Sequence, residues 1–200
     1  MTPGLLFLLV FCGGFSIMSI ELLGGRILAP YFGSSIYVWG SLITVFMLAL
    51  SIGYLLGGRY SLRNPSLKRF GSLFLVSAAA VLPLLLAGNL LMDLVFEYVD
   101  DPRYGSLLAS MVLFFVPTIA LGMISPYAVR LLVEHKDQSG HIAGKLYFVS
   151  TIGSALGTLL TSFYLVLYFE VNQILVAIVT TLVLCGLVAV GAGRREPLFQ

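Results

Sequence analysis

Hydrophobic residues occur in long unbroken stretches, and short segments between them hold the charges. The stretches cover residues 1–20, 27–58, 70–92, 104–129, 146–169 and 171–193. Each is close to or longer than the roughly 20 residues with which a helix crosses the hydrocarbon of a bilayer. Because the stretches are continuously apolar and do not alternate, they predict membrane helices and not the strands of a barrel. The pattern therefore predicts an all-α integral membrane protein, a bundle of six transmembrane helices that we call spans 1 to 6.

Turn residues and charges set the predicted bounds of the spans. The spans are predicted at residues 4–28, 36–58, 70–91, 105–133, 146–168 and 172–192. Pro83 predicts a kink in span 3, and Pro117 and Pro126 predict a bend or break in span 4, because a proline removes a helical hydrogen bond. The segment between spans 3 and 4 is predicted as a loop with an acidic amphipathic stretch.

The spans form one predicted transmembrane domain, residues 1–193, followed by a short cytoplasmic tail, residues 194–200. Leu198, Phe199 and Gln200 resemble the residue that a viral 3C-type protease leaves after tag removal. Part of the tail is therefore interpreted as vector-derived.

Composition excludes an ordinary soluble domain, since only 10% of the residues are charged and 59% are hydrophobic, whereas soluble domains carry about 25% charged residues. The net charge of +2 does not indicate nucleic-acid binding, because the positive charges are sorted by membrane side and are not gathered on one face. The lipid bilayer is the expected environment, and no nucleic-acid partner is expected.

The distribution of lysine and arginine predicts that both termini lie in the cytoplasm. The segments then inside carry Arg59, Arg63, Lys68, Arg69, Arg130, Lys136, Lys145, Arg194 and Arg195, against Arg103 and Arg26 outside. The acidic residues lean the other way, with Asp93, Glu97, Asp100, Asp101 and Glu170 outside against Glu134, Asp137 and Glu196 inside. The sequence therefore predicts a multi-pass protein of a bacterial-type inner membrane, with an acidic outer face.

Glu21 and Arg26 are the most informative polar residues, because charges in or near an apolar span are costly and persist when they are paired or functional. Three interpretations stay open: two residues near the membrane surface, a structural pair, or a ligand site. We expect both side chains to be hydrogen-bonded within the bundle, to each other or to the region of Ser34, Ser35 and Tyr37.

A ligand site, if the bundle binds a solute, is expected between span 1, span 2 and the bent part of span 4. Glycines thin the helices there, and Pro117 and Pro126 can free backbone carbonyls toward a cavity. The candidate ligand-binding residues are Glu21, Arg26, Ser34, Ser35, Tyr37, Gly122 and Pro126. A cationic ligand would meet the Glu21 carboxylate, whereas a nearby Arg26 would neutralise that acid and favour an anionic or zwitterionic ligand, so the charge of the ligand stays open.

Small residues at four-residue spacing, Gly53 with Gly57 and Gly153 with Gly157, predict close helix packing in lipid; the alternative is a polar path lined by hydroxyl groups. Residues 53–60 (GYLLGGRY) also echo residues 157–164 (GTLLTSFY), and Ala29-Pro30-Tyr31 echoes Ser125-Pro126-Tyr127. These echoes suggest a weak 3+3 inverted repeat, an architecture known in transporters.

No motif for catalysis or cofactor binding occurs in the chain. There is no phosphate-binding loop, no dinucleotide fingerprint and no nucleophile with a neighbouring base. His135 and His141 lack the further ligands that a metal site needs, and Cys12 and Cys185 lie in apolar spans without a disulfide framework. We therefore expect no catalytic residue, no metal and no cofactor, and do not expect an enzyme.

Two stretches resemble the membrane region of the fused transporter/spermidine synthase family. They are ELLGGRILAPYFGSSIYVWG at residues 21–40, continued by GYLLGGR at 53–59, and GKLYFVSTIGSALGT at 144–158. With residues 105–130, the similarity spans most of the chain. Longer relatives carry a cytoplasmic domain that resembles aminopropyltransferases. This chain has no glycine-rich nucleotide loop, so that activity and its catalytic residues do not carry over.

Two main functions follow from the resemblance and the acidic outer face. The first is a small-solute membrane carrier or binding unit, with a polyamine-like cation as the solute. The alternative is a non-catalytic membrane anchor or assembly subunit that recruits a separate cytoplasmic aminopropyltransferase-like enzyme. A lipid-related role is a third hypothesis. A homo-oligomer is compatible with each of them.

Overall fold

The structure is a computed structural model that describes residues 3–133 and 139–194. Spans 1 to 3 are the helices α1 (Pro3–Phe32), α2 (Ile36–Ser61) and α3 (Leu67–Tyr98). Span 4 comprises α4 (Pro102–Gly122) and α5 (Ile124–Leu132). Span 5 comprises α6 (Ser139–Leu160), a π-helical turn (Thr161–Leu165) and α7 (Val166–Tyr168), and span 6 is α8 (Val171–Arg194).

All six spans are long and apolar enough to cross a membrane. No strand occurs within the two described segments. The structure thus confirms the prediction of an all-α, multi-pass membrane protein with six transmembrane helices. Residues 134–138, which include His135 and Lys136, lie outside the described residues. The tail from residue 195 onward, interpreted as partly vector-derived, also lies outside them.

The predicted loop after span 3 is wrong in its first part, because α3 continues to Tyr98. Asp93 and Glu97 therefore lie on the last helical turns. Residues 92–98 contain no glycine or proline that would end a helix, whereas Pro102 disfavours helical backbone in the residue before it. Asp101 is the N-cap residue of α4. Its carboxylate accepts hydrogen bonds from the backbone N–H groups of Arg103 and Tyr104 at 2.8 and 3.3 Å.

The predicted break in span 4 is confirmed at Met123, between α4 and α5. Pro126 follows three residues later, in the first turn of α5, where a missing N–H is tolerated. Pro117 and Pro83 lie inside continuous helices. The interruption is therefore associated with Gly122 and Pro126, at the level where span 4 packs on α2.

Span 1 lies at the centre of the bundle and contacts every other span. The most extensive helix contacts are those of α1 with α6, α2 with α4, and α3 with α8. Spans 1 and 4 are the most buried in their most apolar windows, at 50% and 56%, whereas span 5 is only 17% buried. Span 5 therefore packs on one side of span 1 and presents most of its surface outward.

Glycines let two pairs of helices approach to backbone contact. A Cβ atom on Gly53 would lie 2.5 Å from the Ile119 carbonyl oxygen, and one on Gly57 would lie 2.5 Å from the Met123 carbonyl oxygen. Gly153 and Gly157 of α6 face the α1 backbone in the same way, at Phe11 and Phe15. The two helices of each pair run parallel, because a contact four residues later in one helix meets a residue four positions later in the other.

Candidate functional site

A polar cavity of about 580 Å³ lies at the end of the bundle where α1 ends and α8 begins. Its polar lining, from α1, α3 and the start of α8, consists of Arg26, Tyr31, Asn89, Asp93, Glu170 and Asn172. Leu84, Gly88 and Leu175 form part of its apolar wall. We call it the acidic cavity, since it has two carboxylates and one guanidinium.

The acidic cavity lies where α8 begins beside α3, because the two helices pack antiparallel and α3 extends past the start of α8. Gly71 of α3 packs against Gly186 and Val190, and Gly193 packs against the start of α3 at Leu67. This register brings the start of α8 level with about Asn89, because antiparallel helices advance by the same rise per residue. Beyond that level α3 continues without α8 beside it, so its last turns hold Asp93 above the first turn of α8.

Tyr31 fixes the position of the Asp93 carboxylate. Its hydroxyl donates a hydrogen bond of 2.6 Å to Asp93 Oδ1. The Tyr31 ring also meets the Phe96 ring edge to face, with 5.8 Å between the ring centroids, an arrangement that adds to the contact energy of aromatic pairs. Asp93 is therefore held toward α1 while its second carboxylate oxygen stays available.

Arg26 is bound to the backbone of span 5 and to no carboxylate of the described residues. Its guanidinium donates a hydrogen bond of 3.2 Å to the Val166 carbonyl oxygen. That carbonyl needs an outside donor because α7 ends at Tyr168. The π-helical turn before it is tied to α1 by a hydrogen bond of 2.9 Å from the Thr161 hydroxyl to Ser19 Oγ.

Glu170 stands immediately before α8. Its backbone N–H donates to Gln173 Oε1 at 3.0 Å, and its carbonyl oxygen accepts from the Ile174 N–H at 3.1 Å. Its carboxylate has no hydrogen bond or ion pair with any residue in 3–133 or 139–194. A negative charge before a helix N-terminus is favourable, so the fold provides a site for this carboxylate but no counter-ion.

The structure separates Glu21 from Arg26, so the expected pairing of the two is wrong. The helix runs unbroken through Gly24 and Gly25, and residues five apart on a regular helix point roughly 140° away from each other. Glu21 is half-buried and has no hydrogen-bond or ion-pair partner within the described part of the chain. It shares a helix face with Gly25, which packs on the Trp39 ring.

The other residues predicted for the site lie elsewhere. Ser34 is exposed, the Ser35 hydroxyl is buried without a hydrogen-bond partner, and the Tyr37 ring lies under the Arg103 guanidinium at 4.9 Å. Gly122 and Pro126 belong to the contact of span 4 with Gly53 and Gly57. Of the seven candidates, only Arg26 lines the acidic cavity.

Sequence reasoning did not combine Asn89, Asp93, Glu170 and Asn172 into one site. It placed Asp93 and Glu170 on the same side of the membrane, as part of an acidic outer face. The missing signal was the pairing of α3 with α8, which brings residues far apart in sequence together. Asn89, a polar residue at the end of an apolar stretch, was the local signal that could have pointed here.

Comparisons with protein-family models, with curated proteins and with solved structures find no match for this chain. The geometry of the acidic cavity is therefore the main basis on which a function can be inferred.

Proposed function

We propose that this chain is a solute-binding unit of the membrane, acting as a carrier or within one, and that its solute is an organic cation with two or more amino groups. The observation that carries the proposal is the presence of Asp93 and Glu170 in one cavity, with neither carboxylate paired to Arg26. The resemblance to the membrane region of the fused transporter/spermidine synthase family points to the same class, the polyamines.

The lining suits an extended polyamine better than a compact inorganic ion. Ammonium groups donate strong charge-assisted hydrogen bonds to carboxylates, and Asp93 and Glu170 provide two separate acceptors. The side-chain carbonyls of Asn89 and Asn172 add neutral acceptors. Ile27, Pro30 and Val171 also line the cavity and keep part of their surface exposed, so they offer apolar contact to the methylene groups between the amines.

Equilibrium dialysis of radiolabelled spermidine against the purified protein in neutral nanodiscs tests this proposal. We expect saturable binding that putrescine displaces and that a zwitterionic amino acid, present at the same concentration, does not. The absence of saturable binding for both spermidine and putrescine would refute the proposed ligand class.

Replacing Arg26 is expected to strengthen polyamine binding. Its guanidinium lines the acidic cavity and repels a cation; in a water-exposed cavity a unit charge about 4 Å away changes the energy by about 1 kcal/mol, or roughly fivefold in affinity. Arg26→Gln should therefore lower the Kd for spermidine by about that factor, measured by the same dialysis. Arg103→Gln is the matched control, because Arg103 lies on Tyr37 outside the cavity. A weaker or unchanged affinity in Arg26→Gln alone would contradict this placement.

The packing of the spans supports an inverted repeat of spans 1–3 and 4–6. Span 5 packs its glycines Gly153 and Gly157 on span 1, and span 2 packs Gly53 and Gly57 on span 4. Exchanging span 1 with 4 and span 2 with 5 converts one contact into the other, and both contacts are parallel. Such repeats are a common architecture of secondary transporters, which favours a carrier.

The proposed orientation in the cell membrane places both termini in the cytoplasm and the acidic cavity outside, on the basis of the lysine and arginine distribution. A cysteine substituted for Asp100, an exposed residue between α3 and α4, should react with a membrane-impermeant maleimide added to intact cells. Labelling of Asp100→Cys only after the cytoplasmic side is opened would reverse the orientation.

A second candidate function is a membrane anchor for a soluble aminopropyltransferase-like enzyme. It is favoured by the close packing of spans 1, 2 and 4, where a Cβ on Gly24 would lie 2.8 Å from Leu42 and 3.1 Å from Phe114. Copurification of such an enzyme with the protein, together with the absence of polyamine binding, would favour the anchor over the binding unit.

A further inference from the structure

A second cavity, of about 510 Å³, lies at the opposite end of the bundle, where α2 ends beside the break in span 4. It is lined by Leu56, Arg59, Tyr60, Leu62, Arg63 and Met123. We call it the basic cavity, because two arginines are the only charged residues that line it among the residues that the structure describes. Nothing in the proposed polyamine binding uses it.

Arg59 and Arg63 bring two uncompensated positive charges to the basic cavity. Both are exposed, and neither guanidinium has a hydrogen bond or ion pair with the residues at 3–133 and 139–194. Arg63 lies two residues beyond the end of α2, and because like charges that line one cavity repel each other, an anion between the two guanidinium groups would relieve this repulsion. The partial negative charge of the α2 C-terminus, about half a unit, is smaller than their combined charge.

The hairpin that carries Arg63 is held rigidly. The Arg69 guanidinium donates to the carbonyl oxygens of Arg63 and Asn64 and lies over the Tyr60 ring. The buried Tyr127 hydroxyl accepts a hydrogen bond of 3.0 Å from the Ser66 N–H and donates one of 3.3 Å to the Ser66 carbonyl oxygen. The Arg69 side chain therefore holds the hairpin in place, whereas the Arg63 guanidinium remains available to bind an anion.

The apolar residues of the basic cavity decide what kind of anion it suits. Leu56 and Leu62 are 40% and 74% exposed and adjoin the arginines at the end of a membrane span. A free phosphate ion would leave them uncovered, whereas a phospholipid has acyl chains that cover them. Guanidinium groups bind phosphate oxygens in bidentate geometry.

We propose that the basic cavity binds an anionic phospholipid, with its phosphate group between Arg59 and Arg63 and its acyl chains along Leu56 and Leu62. Anionic lipid is attracted to basic residues at the membrane surface, and this cavity adds a fixed pair of donors to that general attraction.

Binding of spin-labelled phosphatidylglycerol and phosphatidylcholine to the purified protein in neutral detergent tests the proposal. We expect wild type to prefer phosphatidylglycerol, and Arg59→Gln and Arg63→Gln each to reduce that preference roughly fivefold. Lys145→Gln is the matched control, since Lys145 is an exposed cation at the same end of the bundle and does not line the cavity. Arg59→Lys, which keeps the charge and loses the bidentate geometry, should give an intermediate loss and covers the case in which a glutamine variant fails to fold.

Equal retention of the two lipids by wild type would overturn the proposal, as would an equal loss of preference in Lys145→Gln. A separate experiment adds inorganic phosphate at the same concentration as the lipid. If phosphate displaces the lipid, the acyl chains contribute nothing to binding, and this result would also overturn the proposal.

Discussion

Replacing both cavity carboxylates, in the variant Asp93→Asn/Glu170→Gln, is expected to weaken spermidine binding by about a hundredfold or more. A hydrogen bond to a charged group contributes about 1.5–3 kcal/mol, which is roughly tenfold or more in affinity for each carboxylate. The amides keep the size of the side chains and remove the charges. Equilibrium dialysis of wild type and variant measures the change in Kd.

The matched control is Glu97→Gln/Asp100→Asn, which removes the same charge from the same end of the bundle. Both residues are exposed and neither lines the acidic cavity. Exposed charges act through water and salt, so this variant should change the Kd by only about twofold. An equal loss in both double variants would mean that spermidine is attracted by the acidic face in general, and the specific site would be wrong.

A large loss of stability is expected from alanine at Gly57. Its Cβ would meet the Met123 carbonyl oxygen at 2.5 Å and Met123 Cα at 2.7 Å, so α2 and span 4 must separate. Forcing extra atoms into a packed contact costs about 1–3 kcal/mol. Gly57→Ala should lower the free energy of unfolding by about this amount in a denaturation titration with sodium dodecyl sulfate.

Gly58 is the control for Gly57, because nothing lies within 4 Å of a Cβ built on it. Alanine is a better helix former than glycine by about 1 kcal/mol, so Gly58→Ala should be neutral or stabilising. Gly157 of α6, against the Phe15 backbone, and Gly144, in open space, provide a second such pair. If alanine changes the free energy of unfolding equally at both glycines of either pair, the contact with a neighbouring backbone is not what these glycines provide.

The six spans could be predicted from the sequence because the requirement for membrane crossing is local: a long apolar stretch with few charges. The ends of the helices could not be predicted equally well. Asp93 and Glu97 interrupt the apolar stretch and suggested that the helix ends before them. The helix α3 nevertheless continues to Tyr98, because residues 92–98 contain no glycine or proline that would end it. Likewise the π-helical turn at Thr161–Leu165 has no glycine or proline to announce it.

The candidate site could be predicted only in part, because it depends on which helix ends meet. Asp93 and Glu170 were assigned to one face from charge alone, but their convergence requires the antiparallel register of α3 and α8. Glu21 and Arg26 were expected to be hydrogen-bonded within the bundle, and their pairing was one alternative, which required the helix to loosen at Gly24 and Gly25. Helical geometry separates them, and Arg26 instead satisfies the Val166 carbonyl at the end of α7.

The most direct measurement of the central claim is protection of a cysteine in the acidic cavity by spermidine. Asn172→Cys, in a background with Cys12→Ala and Cys185→Ala, places a thiol on the cavity lining. Its rate of modification by a cationic methanethiosulfonate should fall with increasing spermidine, with a midpoint equal to the Kd that dialysis gives for the same variant, whereas the rate at Asp100→Cys should not change. A rate at Asn172→Cys that is independent of spermidine, in protein that binds spermidine by dialysis, would contradict the assignment of the cavity as the binding site.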